Sequence, residues 1–236
     1  MHTSGGLGVV TSVDAGGFYC EHCLAVAGRA GDDVGHRVDV GFLHVPPYRA
    51  DADDKARAAH RRQLAEVVAV AIDGFVRQRR LRRLSALLTG YEAWGIVAQN
   101  PSGDVVNDAN ALHAALAARD FSGVGDTRAR GASGLQLTRV VLPVDDRAID
   151  GGPQSVQAKI ATCAPHVALC LGVHSDSDRF RVERRATDRR LRLLPTPAHD
   201  EARPGGTVLF ESDALIDAIV RGARPRRGAR RSRSRS

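Results

Sequence analysis

Cys20, His44 and Glu183 are the residue types that acyl transfer by a thiolate requires: a nucleophile, a proton shuttle and a carboxylate to orient the shuttle. They fall in three short segments, Gly17-Phe18-Tyr19-Cys20-Glu21, Gly41-Phe42-Leu43-His44-Val45-Pro46 and Phe180-Arg181-Val182-Glu183-Arg184. A free thiol is mostly protonated near neutral pH, so a nucleophilic cysteine needs a base or a helix N-terminus beside it. Cys20 has such a setting. The apolar run Leu7 to Val13 predicts a strand, Asp14-Ala15-Gly16-Gly17 a turn, and Cys20 to Ala27 a helix with the thiol in its first turn. The turn glycines would let backbone N–H groups approach a developing oxyanion. His44 closes a second predicted strand, Arg37 to Val45, and is followed by Pro46-Pro47, which places it at the carboxyl edge of a sheet. Glu183 is the carboxylate assigned to the far imidazole nitrogen.

Each residue also has a plainer reading. Cys20 could be a small buried hydrophobe, His44 a satisfied strand-end histidine, and Glu183 a surface partner for an arginine. Cys20-Glu21-His22-Cys23 further has the C-x-x-C spacing of a redox or zinc site, for which His22 and His36 supply only a loose ligand set.

The elements that must position these residues alternate along the chain, which predicts an α/β domain with a mostly parallel twisted sheet. Lys55 to Arg80 has one apolar stripe at helical spacing, and Leu84 to Thr89 reads as a strand ending at Gly90. Asp104 to Ala118 reads as a helix, Leu135 to Val144 as a strand and Pro153 to Thr162 as a helix. Val167 to Gly172 suits a buried central strand, and Phe180 to Thr187 is extended. Ser122 to Ser133 and Arg189 to Gly206 read as loops, and Ser212 to Val220 as a closing helix.

The 236 residues suffice for one sizeable core, and one domain is expected over 1–220. The formal charge of +7 invites a nucleic-acid reading, but eight arginines after residue 220 supply more than the whole of it. The 221–236 segment, ending in Arg-Ser repeats, is expected to be a disordered tail that makes at most unspecific contact with nucleic acid or acidic proteins. A second basic cluster, Arg77 to Arg83, is expected on an exposed connection. Four cysteines in mostly apolar or helical contexts, with no charged leader followed by a long apolar run, suggest a cytoplasmic protein with reduced thiols. No stretch reaches the roughly 20 apolar residues of a membrane span.

Taken together, the segments resemble pyroglutamyl peptidase I, the cysteine peptidase family that removes N-terminal pyroglutamate from peptides. Ser12-Val13-Asp14-Ala15-Gly16-Gly17-Phe18-Tyr19-Cys20 is similar to the family's Ser-Asn-Thr-Ala-Gly-x-x-x-Cys, and Gly41 to Pro46 to its Gly-Phe-x-His-x-Pro. Thr89 to Gly95 with Asn100-Pro101-Ser102 resembles its opening Gly-Phe-Glu-Pro-Phe-Gly and Asn-Pro-Ser. Leu142-Pro143-Val144 resembles its Leu-Pro-Val, and Cys170-Leu171-Gly172 with Val182 to Ala186 its Leu-Gly and Glu-Arg-Val-Ala.

The resemblance spans most of residues 7 to 219, but in rotated order: residues 7–72 match the family's closing part and 85–220 its opening and middle parts, with 73–84 as a linker. It therefore implies a circularly permuted, single-domain, three-layer α/β/α fold. It also implies a Cys20-His44-Glu183 triad, no metal or organic cofactor, and a peptide substrate bearing N-terminal pyroglutamate. Tyr91 and Trp94 correspond to the family's pocket phenylalanines. Val173, where the family has a glutamine, and Arg192, near the position of its oxyanion arginine, complete the implied substrate-binding set.

Departures cluster around that set. Val173-His174-Ser175-Asp176 replaces Gln-Ala-Gly-Gly, removing an amide and close backbone approach. Glu21 puts a negative charge after the nucleophile, which opposes thiolate formation. The alternative is a catalytically impaired pseudoenzyme or binding module of the same fold that works through its basic tail.

Overall fold

The computed structural model describes residues 2–4, 7–12, 19–79, 83–95, 98–119, 134–175, 178–187, 208–211 and 213–223. The fold is α/β with a mixed, mostly parallel sheet. Its strands are β1 (His2–Ser4), β2 (Leu7–Ser12), β3 (Asp39–Val45), β4 (Arg83–Tyr91), β5 (Gly134–Leu142), β6 (Val167–Val173) and β7 (Phe180–Glu183). Six of them lie in the order β2-β7-β3-β6-β4-β5, and the three-residue β1 extends the β2 edge in antiparallel sense. β3, β6, β4 and β5 run parallel to one another; β2 and β7 run parallel to each other and against β3. Strands from the first half of the chain alternate with strands from the second half across those six. A two-stranded antiparallel ribbon, β8 (Arg185–Thr187) with β9 (Val208–Glu211), stands apart from the main sheet.

The helices are α1 (Tyr19–Asp32), α2 (Asp54–Arg79), α3 (Pro101–Asn107), α4 (Ala109–Ala117), α5 (Val156–Cys163) and α6 (Ala214–Ala223). β3 is buried along its whole length. As a strand's alternating side chains require, its residues divide between two apolar clusters. Val40 and Phe42 join Leu24, Ala27, Leu87, Val156, Ile160 and Cys170, a cluster fed by α1 and α5. Leu43 and Val45 join Val68, Ile72, Phe75, Leu112, Leu116, Leu169 and Leu215, a cluster fed by α2, α4 and α6.

Most predicted elements are present with bounds shifted by a few residues, and four differences have local causes. The helix expected over Asp104 to Ala118 is two helices. Asp108 ends α3 and caps α4, its side chain accepting from the Ala111 N–H at 3.0 Å. The connection expected over 73–84 is nearly absent, because α2 runs through Arg79 and β4 begins at Arg83. Arg77 is accordingly not on an exposed connection. It sits on α2 bonded to the buried Asp73 at 2.5 Å, with Arg119 3.6 Å from the same carboxylate. Residues 221–223, expected in the tail, are the last turn of α6, where Arg77 and Arg119 donate to the Arg221 and Gly222 carbonyls. The remainder of that tail, and the loops expected over Ser122 to Ser133 and Arg189 to Gly206, lie outside the described residues.

α2 and α6 cross at two glycines. A Cβ on Gly74 would stand 1.6 Å from the Ala218 carbonyl oxygen, and one on Gly222 1.8 Å from that of Val70. Alanine in a helix ordinarily stabilises over glycine by about 1 kcal/mol, but here the clash with backbone outweighs that gain. Gly74→Ala is expected to destabilise by about 1–3 kcal/mol or more and to lower Tm by several degrees. Gly35→Ala, with no atom within 4 Å of the added carbon, should leave Tm within a degree or so.

Candidate active site

His44 comes from β3 and Glu183 from β7, its antiparallel neighbour. Phe42 pairs with Glu183 and His44 with Arg181, so all four side chains share the sheet face toward α1. His44 Nδ1 donates to Glu183 Oε1 at 2.7 Å, with both side chains buried. That bond fixes the ring and directs Nε2 away from the carboxylate. The ring is edge-on to Phe42 at 5.0 Å and to His174 at 5.4 Å.

Cys20 reaches the same place from above. It lies in the first turn of α1, and its Sγ rests over Gly172 of β6, where a Cβ would come within 2.7 Å of the sulfur. Gly172 is the register partner of His44 on the side opposite Arg181. The row Arg181, His44, Gly172 thus crosses three neighbouring strands, with the thiol over its end. The missing side chain at Gly172 is what admits the sulfur.

Burial first, and the Glu183 charge second, push the Cys20 thiol up to about 12. The thiol therefore keeps its proton at rest. The turn Asp14 to Gly17 and the side chain of Glu21 lie outside the described residues.

The expected substrate-binding residues divide. Tyr91 ends β4 buried at 3% exposure, its hydroxyl beside the Cys23 thiol and its ionisation pushed well up by burial. Trp94 is 41% exposed. Val173 is half-buried at the end of β6, paired with Val45. Arg192 lies outside the described residues. Among the described residues no group of three or more His, Cys, Asp or Glu side chains is arranged to hold a metal ion. His36 lies beyond the far end of α1 from the C-x-x-C segment, its ring tilted against that of His166 at 5.0 Å with Nε2 3.2 Å from the Pro165 carbonyl oxygen.

Arg181, on the strand beside His44, is not singled out by the sequence. Arg181 Nη1 donates to His174 Nε2 at 2.9 Å and Nη2 to Ser12 Oγ at 3.3 Å. Strand alternation through Phe180 to Glu183 was the available signal, since it puts Arg181 on the face of Glu183. Cys170 likewise shares a face with Gly172 two residues on.

No protein-family model, curated protein or solved structure matches the chain.

The electrostatics give two expectations. Glu183→Gln removes a charge that disfavours the thiolate, so iodoacetamide should alkylate Cys20 faster in that variant than in wild type at about pH 8, with Cys163 unchanged. An equal or slower rate would mean that Glu183 does not bear on the thiol. The second concerns stability. Cys20 holds its proton more tightly in the fold than at its ordinary 9.0, so its contribution is intact below pH 9 and fades as pH rises toward about 12. Urea melts across that range should show a loss that is smaller in Cys20→Ala.

Proposed function

We propose that the protein is a cysteine exopeptidase of the pyroglutamyl peptidase I type, with the family's segments in circularly permuted order on a three-layer α/β/α sandwich. The observation that carries this reading is the buried 2.7 Å bond between His44 and Glu183, with the Cys20 sulfur against the register partner of His44. His44 and Glu183 come from strands far apart in the chain and share one sheet face with Gly172, over which the Cys20 sulfur lies, and this supports the triad reading. The layered arrangement is supported by the division of apolar residues between an α1/α5 cluster and an α2/α4/α6 cluster.

In this reading Cys20 Sγ attacks the carbonyl carbon that follows the pyroglutamyl ring. Because the resting thiol is protonated, the proton leaves sulfur as attack proceeds, and His44 Nε2 receives it. The C–N bond breaks as His44 returns that proton to the departing amine. Water, activated by the same imidazole, then releases the acyl group. Glu183 holds the ring in register and balances its charge while the proton is on it. Tyr91, near Cys20 and Cys23, and Trp94 at the surface are the aromatic groups assigned to the ring. We place the protein in the cytoplasm. Among the described residues no helix is long and apolar enough to cross a membrane.

A second reading, a pseudoenzyme or binding module, is favoured by the elevated Cys20 thiol and by Val173-His174 where the family has an amide and a small residue. A chromogenic pyroglutamyl amide separates the two. Wild type should hydrolyse it, Cys20→Ala should not, and His44→Ala should lose about 10²–10⁴ in rate. Binding of a pyroglutamyl peptide by calorimetry without turnover at high protein concentration would select the module instead.

A further inference from the structure

The row of residues that holds His44 has a cation at one end and the thiol at the other. Arg181 and Gly172 are the register partners of His44 on β7 and β6, and the Cys20 sulfur lies over Gly172. The Arg181 guanidinium is strung between Ser12 Oγ on β2, 3.3 Å from Nη2, and His174 Nε2 just past β6, 2.9 Å from Nη1. Arginine can only donate, so His174 Nε2 is an acceptor and carries no proton. Among the described residues, both bonds of this half-buried cation therefore go to neutral groups, and no carboxylate pairs with it. Glu183 lies two residues on along the same face, but its ion pair is with His44. A half-buried charge without a counter-charge costs stability, and an arriving anion offsets that cost. Two bonds also leave N–H donors of the guanidinium fork for such an anion.

We propose that Arg181 binds the free α-carboxylate of the leaving amino acid, so that the preferred substrate is a pyroglutamyl dipeptide acid rather than an amide or a longer chain. This inference rests on the peptidase reading of the triad. In that reading the acyl carbon bonds to the sulfur over β6, and His44 hands its proton to the departing amine. The leaving residue then lies on the side of His44 away from the thiol, which is the side of Arg181. In a dipeptide acid the carboxylate stands one carbon from that nitrogen, within the span of an arginine beside the imidazole. Amidation removes this charge, and a longer chain carries it out of reach. Arg181 and the carboxylate would meet as a charge-assisted, fork-to-fork pair. His174 is the positioning residue, because its bond to Nη1 keeps the guanidinium from folding back onto Glu183 Oε2, which is buried with no hydrogen-bond partner among the described residues.

The readout is a ratio, kcat/KM for pyroglutamyl-alanine over that for pyroglutamyl-alanine amide, measured on the full chain near neutral pH. Wild type should favour the acid by about 10- to 100-fold, the span of one hydrogen-bonded contact to a charged group. Arg181→Gln should bring the ratio to about one, and Arg181→Lys should keep part of it, since a point charge then replaces the fork. His174→Ala should lower it severalfold. A wild-type ratio of about one, or cleavage of the chromogenic amide alone, overturns the proposal while the peptidase reading stands. So does a ratio that Arg181→Gln leaves unchanged, the result expected if the guanidinium served the oxyanion or packing alone. If wild type cleaves neither dipeptide nor the chromogenic amide, the peptidase reading falls and calorimetry with the same two dipeptides decides. Tighter binding of the acid that Arg181→Gln removes keeps the carboxylate site, and equal or absent binding ends it.

Discussion

A carboxylate as buried as Glu183 is costly unless something inside the protein meets it, and the Nδ1–H of His44 does so at 2.7 Å. The bond is possible only because β7 enters the sheet against the direction of β3. Antiparallel pairing sets Glu183 opposite Phe42, one pleat down from His44 on the same face, within reach of a short charge-assisted bond. Among the described residues Glu183 Oε2 has no hydrogen-bond partner. The rest of the site is arranged around this fixed ring: His174 edge-on to it, Arg181 bracing His174, and the Cys20 thiol over the strand on its other side.

The same charge that orients the imidazole also weighs on the thiol. Burial alone would hold Cys20 protonated, and Glu183 adds to that. A site of this kind is the opposite of one with a standing thiolate, and under the proposed mechanism its nucleophile is made during the reaction rather than stored. Low resting reactivity is also what would spare a cysteine from chance alkylation and slow its oxidation.

Local signals were readable in the sequence to the extent that they were local. The strand before Pro46, the helix beginning at Cys20 and the central strand Val167 to Val173 followed from apolar runs bounded by glycine or proline. Asp108 is legible as a cap, but the apolar spacing on either side of it reads as one helix, which the cap divides into α3 and α4. Two short strands, β1 and β9, are not legible in the sequence; Val208-Leu209-Phe210 is an apolar run too brief to be told from the approach to α6. Nothing in the sequence gives the sense of β7 relative to β3, nor the neighbourhood of Cys170, since both are set by pairings between residues distant in the chain. The site residues could be nominated by type, but their meeting depended on those pairings.

Across six strands the sheet takes alternately from the front and the rear of the chain, β2, β3 and β4 interleaved with β7, β6 and β5. A ribosome that has released only the first hundred or so residues has therefore produced β2, β3 and β4 with none of them beside another, β2 having only the three-residue β1 at its edge. Their apolar faces must be kept from other chains until the later strands emerge, and closing such distant pairs is slow in proportion to the loops they tie. For this protein, folding is a zip that cannot start from either end, and the nascent front half is the form most exposed to aggregation.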